Sequence, residues 1–318
     1  MSRILVTGGC GFIGSHLVER LLKDGNEVRI LDDLSTGKRK NIPADVDVTL
    51  GCITDPDVVR QATVEVDAIF HLAAIASVER SNQAWAETHR INLTGTVNVF
   101  EAARHDTSSP RPVVYASSAA VYGDSNAALL SEVDDAMPLT AYGADKYACE
   151  LHGRVASLVH NVPNAGLRFF NVYGPRQDPR SPYSGVISIF TEKALAGQSI
   201  QIFGDGEQSR DFIYVADITR ALTSAMQAID QAPITYPLVA NACTGSTTTI
   251  NELARLVMRA GRQRVPVSLV EARRGDIQRS TGDPEFARKI LGFEAEWPLI
   301  DGLDKLIEHL RTDRAEAA

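Results

Sequence analysis

The chain opens as short apolar runs separated by amphipathic stretches. RILVT gives way to FIGSHLVERLLKDG, whose apolar residues recur at helical spacing, and then to EVRILD. DVTL, DAIFHLA and PVVYAS continue the series. Short apolar runs alternating with helical stretches form the βαβ rhythm of a parallel sheet. The expected fold class is therefore α/β: a Rossmann-type doubly wound parallel sheet with a smaller C-terminal α/β substrate domain. Two long covering helices are predicted, one from about Gln83 to Arg104 and one from about Tyr142 to His160. After NAGLRFFNVYG the pattern turns irregular and rich in Gly, Pro and Asp, as loops around a ligand do. The expected division is a cofactor domain over 1–172 and a mainly substrate-binding domain over 173–318, with segments near 210–245 free to return to the first. INELARLVMRAG follows STTT, which can cap its N-terminus, and the polar tail RTDRAEAA reads as frayed.

Composition narrows the possible functions. With 318 residues and 44% hydrophobic content, the chain can bury a large core. A net charge of −8 and a pI near 5.4 argue against binding a phosphate backbone, so no nucleic-acid partner is expected. Cys10, Cys52, Cys149 and Cys243 lie far apart with no CxxC spacing, which suggests reduced thiols rather than disulfides or a metal site. MSRILVTGG enters a strand at once, leaving no room for a signal peptide, and no apolar run reaches the roughly 18 residues of a membrane span. A cytoplasmic protein without membrane contact is expected.

The segment TGGCGFIGSH lies between a predicted strand and a predicted helix, the context in which glycines cradle a pyrophosphate at a helix N-terminus. Gly8, Gly11 and Gly14 fit GxxGxxG, while Gly9, Gly11 and Gly14 fit GxGxxG, and the pattern alone does not choose. Asp32, ending EVRILD, can accept from the adenosine ribose hydroxyls and would repel a 2′-phosphate. NAD is thus favoured over NADP. Lys38, Arg39 and Lys40 read as a solvated basic turn.

Tyr142 and Lys146 share one helix face at i, i+4, setting a phenol beside an ammonium. A nearby cation, with the positive nicotinamide ring, favours phenolate and so a base for a sugar hydroxyl. Ser117 and Ser118 end PVVYASS, where at least one hydroxyl should emerge at the carboxyl edge of the sheet. His71 in FHLAA reads as a hydrogen-bonded core histidine.

Together TGGCGFIGSH, HLAA, SSAAVYG, YGADK and RFFNVYGPRQ resemble the extended short-chain dehydrogenase/reductases, and specifically the UDP-galactose 4-epimerase branch of the NAD-dependent epimerase/dehydratase family. The resemblance spans nearly the whole chain. It implies a catalytic hydroxyl at Ser118, a tyrosine base at Tyr142 and a ribose-binding Lys146. It implies further cofactor contacts from Phe12, Ile13, Asp33, Ile53, Leu72, Ala73, Ala74, Asn92 and Ser117. On the substrate side it implies nucleotide diphosphate contacts from Asn171, Arg210, Arg273 and Asp276, uracil neighbours at Val186 and Phe203, and further contacts from Phe169 and Ser280. It also implies a homodimer paired through the two long helices. No metal is expected.

Two departures from the family stand out. Cys52 in GCITD replaces the usual acidic adenine contact, leaving Asp55 or backbone groups to substitute. Ala119 and Ala120 follow Ser118 where sugar dehydratases carry Asp-Glu and decarboxylases carry Glu in the second position. Alanines transfer no protons, so dehydration is disfavoured. The implied reaction is NAD-dependent 4-epimerisation of UDP-hexoses, UDP-N-acetylhexosamines included. A UDP-uronate 4-epimerase and a non-catalytic NAD sensor are the alternatives.

Overall fold

The computed structural model describes residues 1–105, 109–178, 185–231, 237–272 and 277–316. The first six strands are β1 (Arg3–Thr7), β2 (Glu27–Asp32), β3 (Asp47–Leu50), β4 (Ala68–His71), β5 (Val113–Ser118) and β6 (Asn164–Phe169). Between and after them run α1 (Phe12–Lys23), α2 (Pro56–Ala62), α3 (Val78–Gln83), α4 (Trp85–His89), α5 (Gly95–Arg104) and α6 (Ala141–His160). The remainder comprises β7 (Asn171–Tyr173), α7 (Val186–Leu195), β8 (Ile200–Phe203), β9 (Ser209–Arg210), β10 (Phe212–Tyr214), α8 (Val215–Gln231), β11 (Leu238–Ala242), β12 (Thr248–Thr249), α9 (Ile250–Gly261), β13 (Val267–Val270), β14 (Arg279–Ser280), α10 (Glu285–Leu291) and α11 (Leu299–Glu316).

Seven strands form one parallel sheet in the order β11-β6-β5-β4-β1-β2-β3. The chain builds outward from β1 to β3, then crosses to β4 and builds the other way. That reversal between β1 and β4 opens a crevice at the carboxyl ends of the strands. Alternation along each strand feeds two cores. Ile4, Val6, Ile30 and Phe70 pack on one face with α1 and α8 residues, while Leu5, Leu31, Ile69 and Tyr115 pack on the other with residues of α2, α5 and α6. A third core around Tyr173, Phe190, Ile202, Leu253 and Leu306 fills the C-terminal half, and Phe12 and Ile13 pack against it.

The region predicted as one helix from Gln83 to Arg104 is broken. Helix α3 starts earlier, Ala84 leaves helical geometry at φ −125°, and Arg90–Thr94 form a π-helical turn before α5. The wide turn carries Asn92 inward, where it exchanges two hydrogen bonds with the Ile75 backbone at 2.8 and 3.0 Å. The tail also departs from expectation. Helix α11 continues to Glu316, held by Arg311 donating to the Gly261 carbonyl at 2.8 Å and Arg314 pairing with Glu192 at 3.0 Å. No helix is long and apolar enough to cross a membrane among the described residues.

Candidate active site

The glycine turn joins β1 to α1, and its geometry separates the two glycine patterns. Gly8 sits at φ +71°, and a Cβ there would lie 2.7 Å from the Ala73 amide nitrogen. A Cβ on Gly14 would lie 2.1 Å from the Gly8 carbonyl oxygen. A Cβ on Gly11 would be 3.2 Å from the same oxygen, whereas one on Gly9 would meet only the Ile30 side chain. Backbone closeness therefore demands the GxxGxxG set. Helix α1 has no side-chain cap at Gly11, so its first amides, on Phe12 and Ile13, have no intrahelical acceptor and suit a pyrophosphate. The residues fit NAD.

Asp32 is buried at the end of β2, its Oδ2 accepting from the Cys10 amide at 2.9 Å and its Oδ1 from the Leu34 amide at 2.8 Å. Burial pushes its carboxyl above the ordinary value, against the pull of those two amides. Each oxygen retains a lone pair for a ribose hydroxyl. Asp33 is exposed and accepts from the Ser35 amide. The basic turn is not simply solvated. Arg39 donates to the carbonyls of Ile42, Pro43, Ala44 and Val46, and Lys38 pairs with Asp178 at 3.1 Å. At the third strand, Ile53 is buried against Gly95, Thr54 donates to the Cys52 sulfur at 3.2 Å, and Asp55 caps α2. The Asp55 carboxylate thus already serves the Asp57 and Val58 amides.

Leu72, Ala73 and Ala74 form the half-buried loop after β4, facing the glycine turn. A buried chain of hydrogen bonds supports them. The Ala73 amide donates to Thr7 Oγ1, which donates to His71 Nδ1 at 2.7 Å. His71 Nε2 donates to Thr96 Oγ1 at 3.0 Å, and Thr96 donates to the Asn92 carbonyl at 2.5 Å. Thr96 spends its one proton on the Asn92 carbonyl, so His71 Nε2 carries a hydrogen, and in the neutral ring Nδ1 then accepts from Thr7. Burial pushes its imidazole down to about 3, with the Lys146 charge adding to the effect. Asn92 supports the loop through Ile75, and its side-chain amide is occupied there.

Ser118 ends β5 and its Oγ accepts from the Ala120 amide at 3.1 Å. Ser117 points the other way, donating to Glu150 Oε1 at 2.5 Å with 1% of its surface exposed, so its hydroxyl faces the core and not the crevice. Tyr142 lies in the first turn of α6 and its amide donates to Ser81 Oγ at 3.2 Å. Lys146 is buried, donates to the Ala116 carbonyl at 2.8 Å and lies 5.9 Å from the centroid of the Tyr142 ring. Gly143 makes the convergence possible, since a Cβ there would stand 2.6 Å from the Ala120 carbonyl oxygen. The first turn of α6 thus abuts the Ser118–Ala120 turn.

A cavity of about 410 Å³ opens beyond β7, lined by Asn171, Val186, Lys193, Phe203, Gln208 and Arg210 among others. It gathers four residues expected to bind the nucleotide. Lys193, Gln201 and Gln208 also line it and were not singled out in the sequence; a lysine within VISIFTEKAL carries no signal beyond an ordinary helix face. Arg210 Nη1 donates to the Ser209 carbonyl. The Asp211 carboxylate receives the amides of Thr244, Gly245 and Gly282 and the Thr244 hydroxyl. Ser280, 9% exposed, is in register with Arg210 in the β14–β9 pair, and Phe169 is buried at the end of β6. Arg273 and Asp276 lie outside the described residues. No cluster of three metal-ligating side chains occurs among the described residues.

The chain is similar to known proteins over nearly its whole length. The model of the NAD-dependent epimerase/dehydratase family matches residues 4–238. The chain is 36% identical to a UDP-glucose 4-epimerase of Mycolicibacterium smegmatis, across 97% of this chain and 98% of that one. Its structure resembles UDP-glucose 4-epimerase from Thermotoga maritima with UDP-glucose (TM-score 0.92, 33% identity, 98% and 99% of the two chains). It also resembles UDP-N-acetylglucosamine 4-epimerase from Methanobrevibacter ruminantium in complex with UDP-N-acetylmuramic acid (TM-score 0.91, 32% identity, 98% and 99%).

Proposed function

The chain belongs to the NAD-dependent epimerase/dehydratase family, and from that premise we propose that it interconverts UDP-glucose with UDP-galactose, and UDP-N-acetylglucosamine with UDP-N-acetylgalactosamine. It is an NAD-dependent nucleotide-sugar epimerase. The observation that supports the finer reading is the first turn of α6, carrying Tyr142 and Lys146, abutting the Ser118–Ala120 turn, with Ala119 and Ala120 immediately after the serine.

When bound, NAD would supply a reversible hydride acceptor for C4 of the sugar. Gly8, Gly11, Gly14, Asp32 and the loop at Leu72–Ala74 would hold it. The Tyr142 oxygen takes the proton of the C4 hydroxyl, and the Ser118 hydroxyl shares it. The Lys146 ammonium stands 5.9 Å from the centroid of the Tyr142 ring and would bind the nicotinamide ribose. Asn171, Arg210, Val186 and Phe203 hold the nucleotide, since a guanidinium fork suits a diphosphate and an aromatic face suits a base. Ala119 and Ala120 transfer no proton beside Ser118, which disfavours elimination of the C6 oxygen and leaves the ketone sugar to turn over.

Incubating the protein separately with UDP-glucose, UDP-N-acetylglucosamine and UDP-glucuronate, and resolving the products by NMR, tests the assignment. C4 epimers of the first two are expected. Turnover of UDP-glucuronate alone would replace it with the uronate reading. Ser280 decides the acetamido claim: Ser280→Tyr should cost the acetylated substrate about 5- to 150-fold in relative kcat/KM and leave UDP-glucose nearly unaffected.

We place the enzyme in the cytoplasm and assign it a homodimer. Leu151, Val155, Leu158 and Val159 are 45–64% exposed along one face of α6, an apolar stripe that a second copy would cover. Sedimentation equilibrium should give twice the chain mass, and Val155→Glu with Val159→Glu should give monomers.

A further inference from the structure

We propose that Ser117, Glu150 and Arg168 form a buried positioning triad, which holds the helix carrying Tyr142 and Lys146 in register with the strand carrying Ser118. The role rests on the catalytic reading of those three residues. None of the triad reaches the crevice: Ser117, Glu150 and Arg168 are 1%, 6% and 5% exposed.

Their geometry ties three elements at one point. Glu150 Oε1 accepts from Ser117 Oγ of β5 at 2.5 Å and from Arg168 Nε of β6 at 2.9 Å. Glu150 Oε2 accepts from Arg168 Nη2 at 2.8 Å, completing a two-pronged pair. The guanidinium lies 4.7 Å over the Tyr122 ring, in the segment that follows Ser118. Glu150 is one helical turn beyond Lys146, which donates to the Ala116 carbonyl. Helix α6 is therefore pinned to β5 at two successive residues, Ala116 and Ser117, immediately before the catalytic serine.

Stability is a poor reason for such a cluster. Burying an ion pair carries a desolvation cost that apolar packing avoids, and here Arg168 Nη1 is buried without a partner. What charge-assisted, two-pronged bonds supply is directional restraint, which the sliding contact of apolar side chains does not. The residues needing that restraint lie on two elements, Tyr142 and Lys146 on α6 and Ser118 on β5, and Tyr142 and Ser118 act on one carbon. The pair's distance and angle at the sugar are set by where α6 stands on β5.

The test uses the NAD-loaded protein. Ser117→Ala removes one hydroxyl and leaves the ion pair. It should lower kcat for UDP-glucose about 10-fold while KM and bound NAD stay within about 2-fold, because misplacement acts on the reacting geometry and not on nucleotide binding. Ser117→Thr, which keeps the hydroxyl, should recover most of the loss. In a crystal structure of the Ser117→Ala protein the Lys146 contact to the Ala116 carbonyl should lengthen beyond hydrogen-bonding range. Glu150→Gln should lose about 100-fold; if it does not fold, Ser117→Ala decides. A folded Ser117→Ala protein with wild-type kcat and an unmoved Lys146, even one that melts earlier, would overturn the proposal. Were the wild type to epimerise no UDP-sugar, the epimerase reading would fall, and movement or immobility of Lys146 would still decide for or against positioning.

Discussion

Gly143 and His71 show two ways in which one residue sets the chemistry without touching a substrate. At Gly143 a single added methyl would press on the Ala120 carbonyl, a backbone atom that cannot step aside. Gly143→Ala is expected to push the first turn of α6 off the Ser118 turn at an overpacking cost of about 1–3 kcal/mol. Turnover should fall at least about 10-fold in a protein that still melts cooperatively; steady-state rates beside a melting curve check this. His71 acts through its charge state. Its folded pKa is depressed to about 3 from an ordinary value of 6.5, so between those limits the unfolded chain binds the proton and the folded one does not. Stability from this residue is therefore complete above about pH 6.5 and declines as pH falls towards 3, by up to roughly 1.4 kcal/mol per pH unit. Urea unfolding of His71→Gln against wild type between pH 7 and 5 should show a shallower slope in the variant. A parallel slope would mean that His71 is not the group being protonated.

Among the elements, strands and glycine turns were legible and local breaks were not. β1, β2, β4 and β5 are short, largely apolar runs, and TGGCGFIGSH announces its turn through Gly8, at a left-handed φ, and through Gly11 and Gly14, where a Cβ would press on the Gly8 carbonyl. The Tyr142–Lys146 pair was legible for the same reason, since helical spacing alone brings it to one face. The division of Gln83–Arg104 into α3, α4, a π turn and α5 was not, because apolar periodicity continues through a wide turn and the cause, Asn92 pairing with Ile75, is a tertiary contact. Strands β9 and β14 have two residues each, too short for any period to register. The same blindness hid the direction of Ser117, which depends on the Glu150 waiting across α6. Helix α6 rests on the sheet through Tyr115, whose ring fits where Gly153 and Gly166 have no side chain: a Cβ on Gly166 would stand 2.6 Å from the ring. Gly166→Ala is expected to lower stability by about 1–3 kcal/mol, measured as a drop in the urea midpoint without a change in slope.

At the scale of the molecule, the sheet is completed late. β11 pairs with β6 and arrives only after β7, α7, β8, β9, β10 and α8. Asn241 on β11 receives the Tyr122 hydroxyl at 2.7 Å, and its own amides reach Glu132 and Leu130, so the loop between Ser118 and Tyr142 is also fastened by this last strand. A fragment ending at residue 172 would lack that edge and leave β6 uncovered. It is expected to be insoluble or to lack a cooperative melt by circular dichroism, whereas a cooperative transition would show that the first six strands suffice. The segments that line the cavity beyond β7 leave from the ends of β6 and β11, and their own short strands add no rung to the seven-stranded sheet. Those segments can be lengthened, shortened or rewritten without disturbing a rung of the sheet. What the cavity accepts can therefore be altered by local edits to these segments, with the sheet and its glycine turn left in place.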